Sequence, residues 1–202
     1  MQRMIATFLR GLSLIARFGL TLLLAITLPL EEIGFFGLYW SAIVLVSSLI
    51  GLDLYAATIR KLLAVDETKA QIINDHIGLL LLLSLILLPL TSCLFAYKYS
   101  PHVIIFFIIL LHFFAEFVAH EIGRILIPLG KPFLANFLLF MRSAAWIPIA
   151  AVIIIFAAPQ LRLTIIIGSW FISSSITALI SIRSLKKIMP VFFEPQFNLP
   201  WI

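Results

Sequence analysis

The sequence predicts an all-α membrane protein, a bundle of about six transmembrane helices with both termini in the cytoplasm, and three observations carry that expectation. Hydrophobic side chains make up 63% of the 202 residues and charged ones only 11%. With a mean hydropathy of +1.18, the chain has too little polar surface to cover a water-soluble globule. The apolar residues also fall into runs near the twenty or so residues that a spanning helix needs. Finally, lysine and arginine gather on one side of those runs once the runs alternate in direction.

Taken in order, the spans are expected at about 4–30, 35–59, 77–97, 103–127, 133–158 and 163–182 of a single transmembrane unit covering 1–202. The first is too interrupted for a cleaved signal peptide, because Arg17 breaks its apolar core and no small-x-small cleavage site follows. The second begins after "LPLEEIG", and the third follows the polar stretch "RKLLAVDETKAQIINDH". "KYSPH" separates the third from the fourth, "PLGKP" the fourth from the fifth, and "APQLR" the fifth from the sixth. Pro89 in the third span and Pro148 in the fifth predict kinks, which survive in a membrane where neighbours or a cavity satisfy the freed carbonyls.

Charge sets the orientation. Arg3, Arg60, Lys61, Lys69, Lys131, Arg183, Lys186 and Lys187 fall on the side of the termini, with Arg124 close to it, and Lys98 and Arg162 on the other. That imbalance predicts cytoplasmic termini. Glu31 and Glu32 are expected in the opposite loop. The net charge of +5 comes from scattered residues rather than a basic face, so it argues for topology and against nucleic acid as a partner. Cys93 is the only cysteine, which rules out an internal disulfide and a cysteine metal cluster.

The residues that bear on function are the ionisable ones at membrane depth. Arg10 and Arg17 are seven apart, two helical turns, and so share a face. A charge at the centre of a span costs about 2.5 to 3.5 kcal/mol on insertion scales, so the pair is expected to face a watery cavity or an anionic partner. Arg10 has a second option, to snorkel to the headgroups. In the fourth span, His112, Glu116, His120 and Arg124 recur every four residues along one helical stripe, with Glu121 beside it. Asn136 and Arg142 add polar groups to the fifth span. Either Glu116 or Glu121 is therefore expected to pair with Arg142, as part of an ion or proton path or as a seam holding two helices in register.

Enzyme chemistry finds no support in the motifs. "HEIGR" begins like the His-Glu-x-x-His of a zinc protease, but Arg124 stands where the second histidine would be, and a guanidinium cannot coordinate a metal. There is no GxSxG elbow and no phosphate-binding glycine loop. No cofactor and no metal is expected.

Two segments carry a family resemblance. "LPLEEIGFFGLYWSAIVLVSSLIGLDLYAATIRKLL" resembles the first-to-second-helix region of bacterial polysaccharide exporters, with an acidic-Gly-aromatic turn after Pro and a Gly-Leu-Asp closing the helix before Arg. "AHEIGRILIPLGKPFLANFLLFMRSAAWIP" is similar to the stretch joining their fourth and fifth helices, with Glu-x-x-Arg, a basic-Pro turn, then Asn, Arg and Trp. Together they resemble the oligosaccharide flippase branch of the multidrug/oligosaccharidyl-lipid/polysaccharide exporter superfamily. The resemblance implies a multi-pass protein of the bacterial inner membrane that carries an undecaprenyl-pyrophosphate-linked oligosaccharide between leaflets, as in polysaccharide or lipopolysaccharide O-antigen biosynthesis. It implies that Arg10, Arg17, Arg142 and Asn136 face the pyrophosphate, that Glu121 and Arg124 form the Glu-x-x-Arg, and that Glu116 and His120 relay protons or bind a coupling cation. Arginine suits the first role, because its fork of donors matches pyrophosphate oxygens.

Such exporters have about twice as many helices, in two lobes around a cavity. This sequence matches the first lobe only, and "PVFFEPQFNLPWI" looks like the lead-in to a seventh helix. The expectation is therefore a lobe completed by a second lobe or by a homodimer. Two alternatives are a cation-coupled small-molecule antiporter of the same superfamily and a truncated membrane fragment that transports nothing.

Overall fold

The computed structural model describes residues 2–51, 54–64, 69–99 and 103–188. "PVFFEPQFNLPWI", the Leu52 and Asp53 of the Gly-Leu-Asp, and the end of "KYSPH" lie outside the described residues. Every regular element among those described is helical: α1 (Gln2–Thr27), α2 (Leu30–Gly51), α3 (Leu54–Ala64), α4 (Lys69–Tyr99), α5 (Val103–Ile125), α6 (Pro132–Phe140), a π turn (Met141–Ala145), α7 (Trp146–Phe156), a 3-10 turn (Pro159–Leu161) and α8 (Arg162–Ile188). Six stretches are long and apolar enough to cross a membrane, Met4–Thr27, Leu30–Gly51, Gln71–Phe95, Phe106–Ile125, Pro132–Phe156 and Pro159–Ile188. The described residues are thus all-helical, and their six long apolar helices are those of a multi-pass membrane protein.

The bounds differ from the expected ones where helix chemistry overrides hydropathy. Glu31 and Glu32 do not sit in a loop. They occupy the first turn of α2, where carboxylates favour the positive end of the helix dipole, and the carbonyl of Pro29 accepts the N–H groups of Glu32 and Ile33 at 3.1 Å each. Of the second expected span, residues 35–51 fall in α2 and 54–59 in α3, and the stretch long and apolar enough to cross is Leu30–Gly51. The third begins well before 77, with "KAQIINDH" wound into α4 and its His76 Nδ1 sharing a hydrogen bond with Thr58 of α3 at 2.9 Å. The sixth continues past 182, placing Lys186 and Lys187 in the last described turn of α8.

The turn joining α5 to α6 follows from one glycine. Gly130 has φ +74, the left-handed conformation that closes a helix, and Lys131 N–H returns to the carbonyl of Leu126 at 3.0 Å while Gly130 N–H reaches Ile127 at 3.1 Å. Pro132 then starts α6, where its missing N–H costs nothing.

Packing centres on α5. Of the apolar window in the fourth span 56% is buried, against 17% in the first, so α5 lies inside the bundle and α1 on its margin. Its most extensive neighbour is α8, which turns a buried row of small residues toward the interior, Ser173, Ser174, Thr177, Ala178 and Ser181. Small side chains let two helix backbones approach closely, the main source of helix association where lipid removes the hydrophobic drive. An aromatic layer joins the helices: Trp170 stacks on Trp40 at 4.8 Å and on Trp146 at 6.2 Å, and meets Tyr39 edge to face at 6.0 Å. Pro89 lies within the unbroken α4. Pro148, which has no N–H to return to the turn before it, is the third residue of α7, in the first turn after the π turn.

Candidate functional site: a cationic cleft beside a saturated ion pair

Glu116 stands at the centre of the buried polar groups, 3% exposed. Its Oε2 pairs with Arg142 Nη1 at 2.5 Å. Its Oε1 accepts from Trp170 Nε1 and from Ser174 Oγ, also at 2.5 Å each. One carboxylate thus ties α5 to the π turn and to α8. The π turn fixes the cation's partner groups as well, since Ser173 Oγ donates to the carbonyl of Met141 at 2.7 Å and Ser143 Oγ to that of Leu139 at 2.7 Å. One turn away, His112 is fully buried and its Nδ1 shares a hydrogen bond with the Tyr39 hydroxyl at 2.8 Å.

A cleft of about 180 Å3 opens beside this pair, lined by Arg17, Trp40, Ser47, Glu116, His120 and Arg142 among others. It lies between α1, α2 and α5. Arg142 enters it already neutralised by Glu116, whereas Arg17 makes no ion pair among the described residues. The Arg17 guanidinium sits 5.6 Å from the centre of the Trp40 ring, and its Nε is buried without a hydrogen-bond partner. The cleft therefore carries one uncompensated positive charge, held against an aromatic face in surroundings where charge is poorly screened.

A second hollow of about 170 Å3 lies nearer the termini and is bounded by Arg10, His120, Arg124, Asn136 and Arg142. Arg10 Nε donates to Asn136 Oδ1 at 2.7 Å, and Asn136 Nδ2 donates back to the carbonyl of Pro132 at 2.6 Å. Arg10 is otherwise exposed. His120 and Arg142 line both hollows, so the two form a cationic path along α5 from the termini side to half depth.

The residues singled out from the sequence thus divide. Arg17, Arg142, Glu116 and His120 meet at the cleft, and Arg10, Asn136 and Arg124 at the hollow below it. Glu121 joins neither. Of the two carboxylates considered for Arg142, the structure selects Glu116, because Glu121 is turned about 140° further round the helix. Glu121 Oε1 instead accepts from Arg124 Nη1 at 3.3 Å and lies 3.1 Å from His120 Nδ1. The Arg124 guanidinium also rests 4.0 Å from the centre of the Tyr55 ring, fastening α3 to α5.

Sequence reasoning missed Trp170 and Ser174, half of the Glu116 site. Both had a readable signal: a tryptophan within a span needs an acceptor for its N–H, and Ser174, Thr177, Ala178 and Ser181 are small residues three, four and seven apart, as on the face of a helix interface. No family model, no curated protein and no solved structure matches this chain.

Proposed function

We propose that this chain is a six-span unit of a lipid-linked oligosaccharide flippase, with the cleft receiving the pyrophosphate of the carrier lipid. The observation that carries the reading is Arg17, a guanidinium at membrane depth with no carboxylate partner among the described residues, in a cleft whose other arginine is neutralised. An intramembrane cation is costly and persists where it meets an anion. A pyrophosphate provides that anion in a form that a guanidinium binds through two parallel hydrogen bonds. Trp40 and the serines of α2 add a stacking surface and hydroxyls suited to sugar rings. In this reading the termini are cytoplasmic and the membrane is the bacterial inner membrane, supported by Arg60, Lys61, Lys131, Arg183, Lys186 and Lys187 on the termini side against Lys98 and Arg162 on the other. The cationic path from Arg10 to Arg17 then opens toward the leaflet where lipid-linked sugars are assembled.

The test is complementation in bacteria lacking their own flippase, with surface glycan as the readout. The wild-type chain, with its second lobe if one is encoded beside it, restores export. Arg17→Ala abolishes it at unchanged protein level, and Arg17→Lys restores it only in part, because an ammonium cannot form the bidentate contact. Full export by Arg17→Ala would overturn the reading.

A further inference from the structure

On the other side of α5 from the cationic cleft, an apolar groove of about 190 Å3 runs between α4, α5 and α8. Leu80, Leu81, Phe114 and Phe117 form its walls. Two charged residues also line it, Glu121 and Lys186. They lie at one end. α5 and α8 run in the same direction; Glu121 comes four residues before α5 ends at Ile125, about 6 Å along the axis, and Lys186 comes two residues before Ile188, the last described residue of α8. Phe114 is eleven residues before Ile125, about 16 Å deep. The groove is thus polar at headgroup level and apolar along an acyl chain's length below it.

Its polar end is unfinished. Glu121 is 3% exposed, and although its Oε1 meets Arg124 and His120, its Oε2 is buried with no hydrogen-bond partner among the described residues. A buried acceptor left unpaired costs about 1–3 kcal/mol, and more when charged. Lys186 is exposed and makes no ion pair among the described residues, with Lys187 next to it and Arg183 one turn back on α8. A ligand that completes this end needs an anion for the lysine, a hydrogen-bonding cation for the carboxylate and an apolar tail.

We propose that the groove binds one molecule of phosphatidylethanolamine, its phosphate on Lys186, its ammonium at Glu121, whose side chain turns to bring the buried Oε2 to it, and an acyl chain along Leu80, Leu81, Phe114 and Phe117. A headgroup with a phosphate and no ammonium would satisfy Lys186 alone and bring its charge toward an unpaired carboxylate oxygen. That difference selects the zwitterionic lipid over an anionic one, because Lys186 lines the groove whereas Lys187 and Arg183 do not. The proposal stands apart from the transport reading, because it uses none of the cleft residues Arg17, Glu116 or Arg142.

Native mass spectrometry of the full chain, delipidated in detergent and titrated with phosphatidylethanolamine or phosphatidylglycerol of identical acyl chains, tests it. The wild-type chain retains phosphatidylethanolamine several-fold better. Glu121→Gln weakens that lipid about tenfold, the scale of one lost ion pair, and leaves phosphatidylglycerol unchanged. Lys186→Ala weakens both, and Leu81→Trp, which fills the apolar wall without touching the charges, abolishes both. Equal retention of the two lipids by wild type, an unchanged preference in Glu121→Gln, or no retained lipid at all would overturn the proposal, provided each variant elutes as a single folded species.

Discussion

Two arginines at similar depth in the bundle meet opposite surroundings. Arg142, on the π turn, is held by Glu116, which is itself bonded to Trp170 and Ser174. Arg17, on the marginal helix α1, has an aromatic face and no carboxylate. The difference teaches that charge inside a membrane is not one kind of feature: the first arginine belongs to a closed set of bonds that holds α5, the π turn and α8 together, and the second is left over.

The largest effect comes from breaking the closed set. Glu116→Ala strands Arg142 and is expected to cost about 3–5 kcal/mol, seen as a large fall in the melting midpoint in detergent. The double variant Glu116→Ala with Arg142→Ala loses less than Glu116→Ala alone, since no lone charge remains. A double variant as damaged as the single one would mean that the seam depends on shape rather than charge. Next in size are Ser174→Ala and Trp170→Phe, each removing one donor to the carboxylate, at about 1–2 kcal/mol apiece in the same measurement. The smallest shift belongs to Arg17→Ala: it loses a cation–π contact of about 0.5–1 kcal/mol but also removes a poorly solvated charge, so stability moves by less than about 1 kcal/mol. A destabilisation as large as that of Glu116→Ala would place Arg17 in the scaffold and remove the contrast between the two arginines.

Much of this was legible in the sequence. Spans show in hydropathy because lipid demands apolar length, and the four-residue recurrence from His112 to Arg124 marks an inward face whatever its purpose. Less was legible where two rules compete. Glu31 and Glu32 read as loop by polarity yet begin α2, because a helix N-terminus welcomes carboxylates. Arg60 and Lys61 read as the start of a polar connection yet belong to α3, because lysine and arginine are good helix formers whatever their polarity. The choice of Glu116 over Glu121 for Arg142 depends on how α5 is rotated, and that is set by its packing on α8, a partner far away in the chain.

The π turn at Met141–Ala145 has a consequence for how the fifth span tolerates change. A π turn is an α-helix that has absorbed one extra residue, so the register before it and the register after it are set independently. Arg142 is thereby free to answer to Glu116, while Trp146, Ala150 and Ile154 keep their own buried row at intervals of four. In an unbroken helix, any rotation that improved one contact would turn the others away from their partners. The bulge acts as a joint between two half-helices, and either half can be altered without resetting the other.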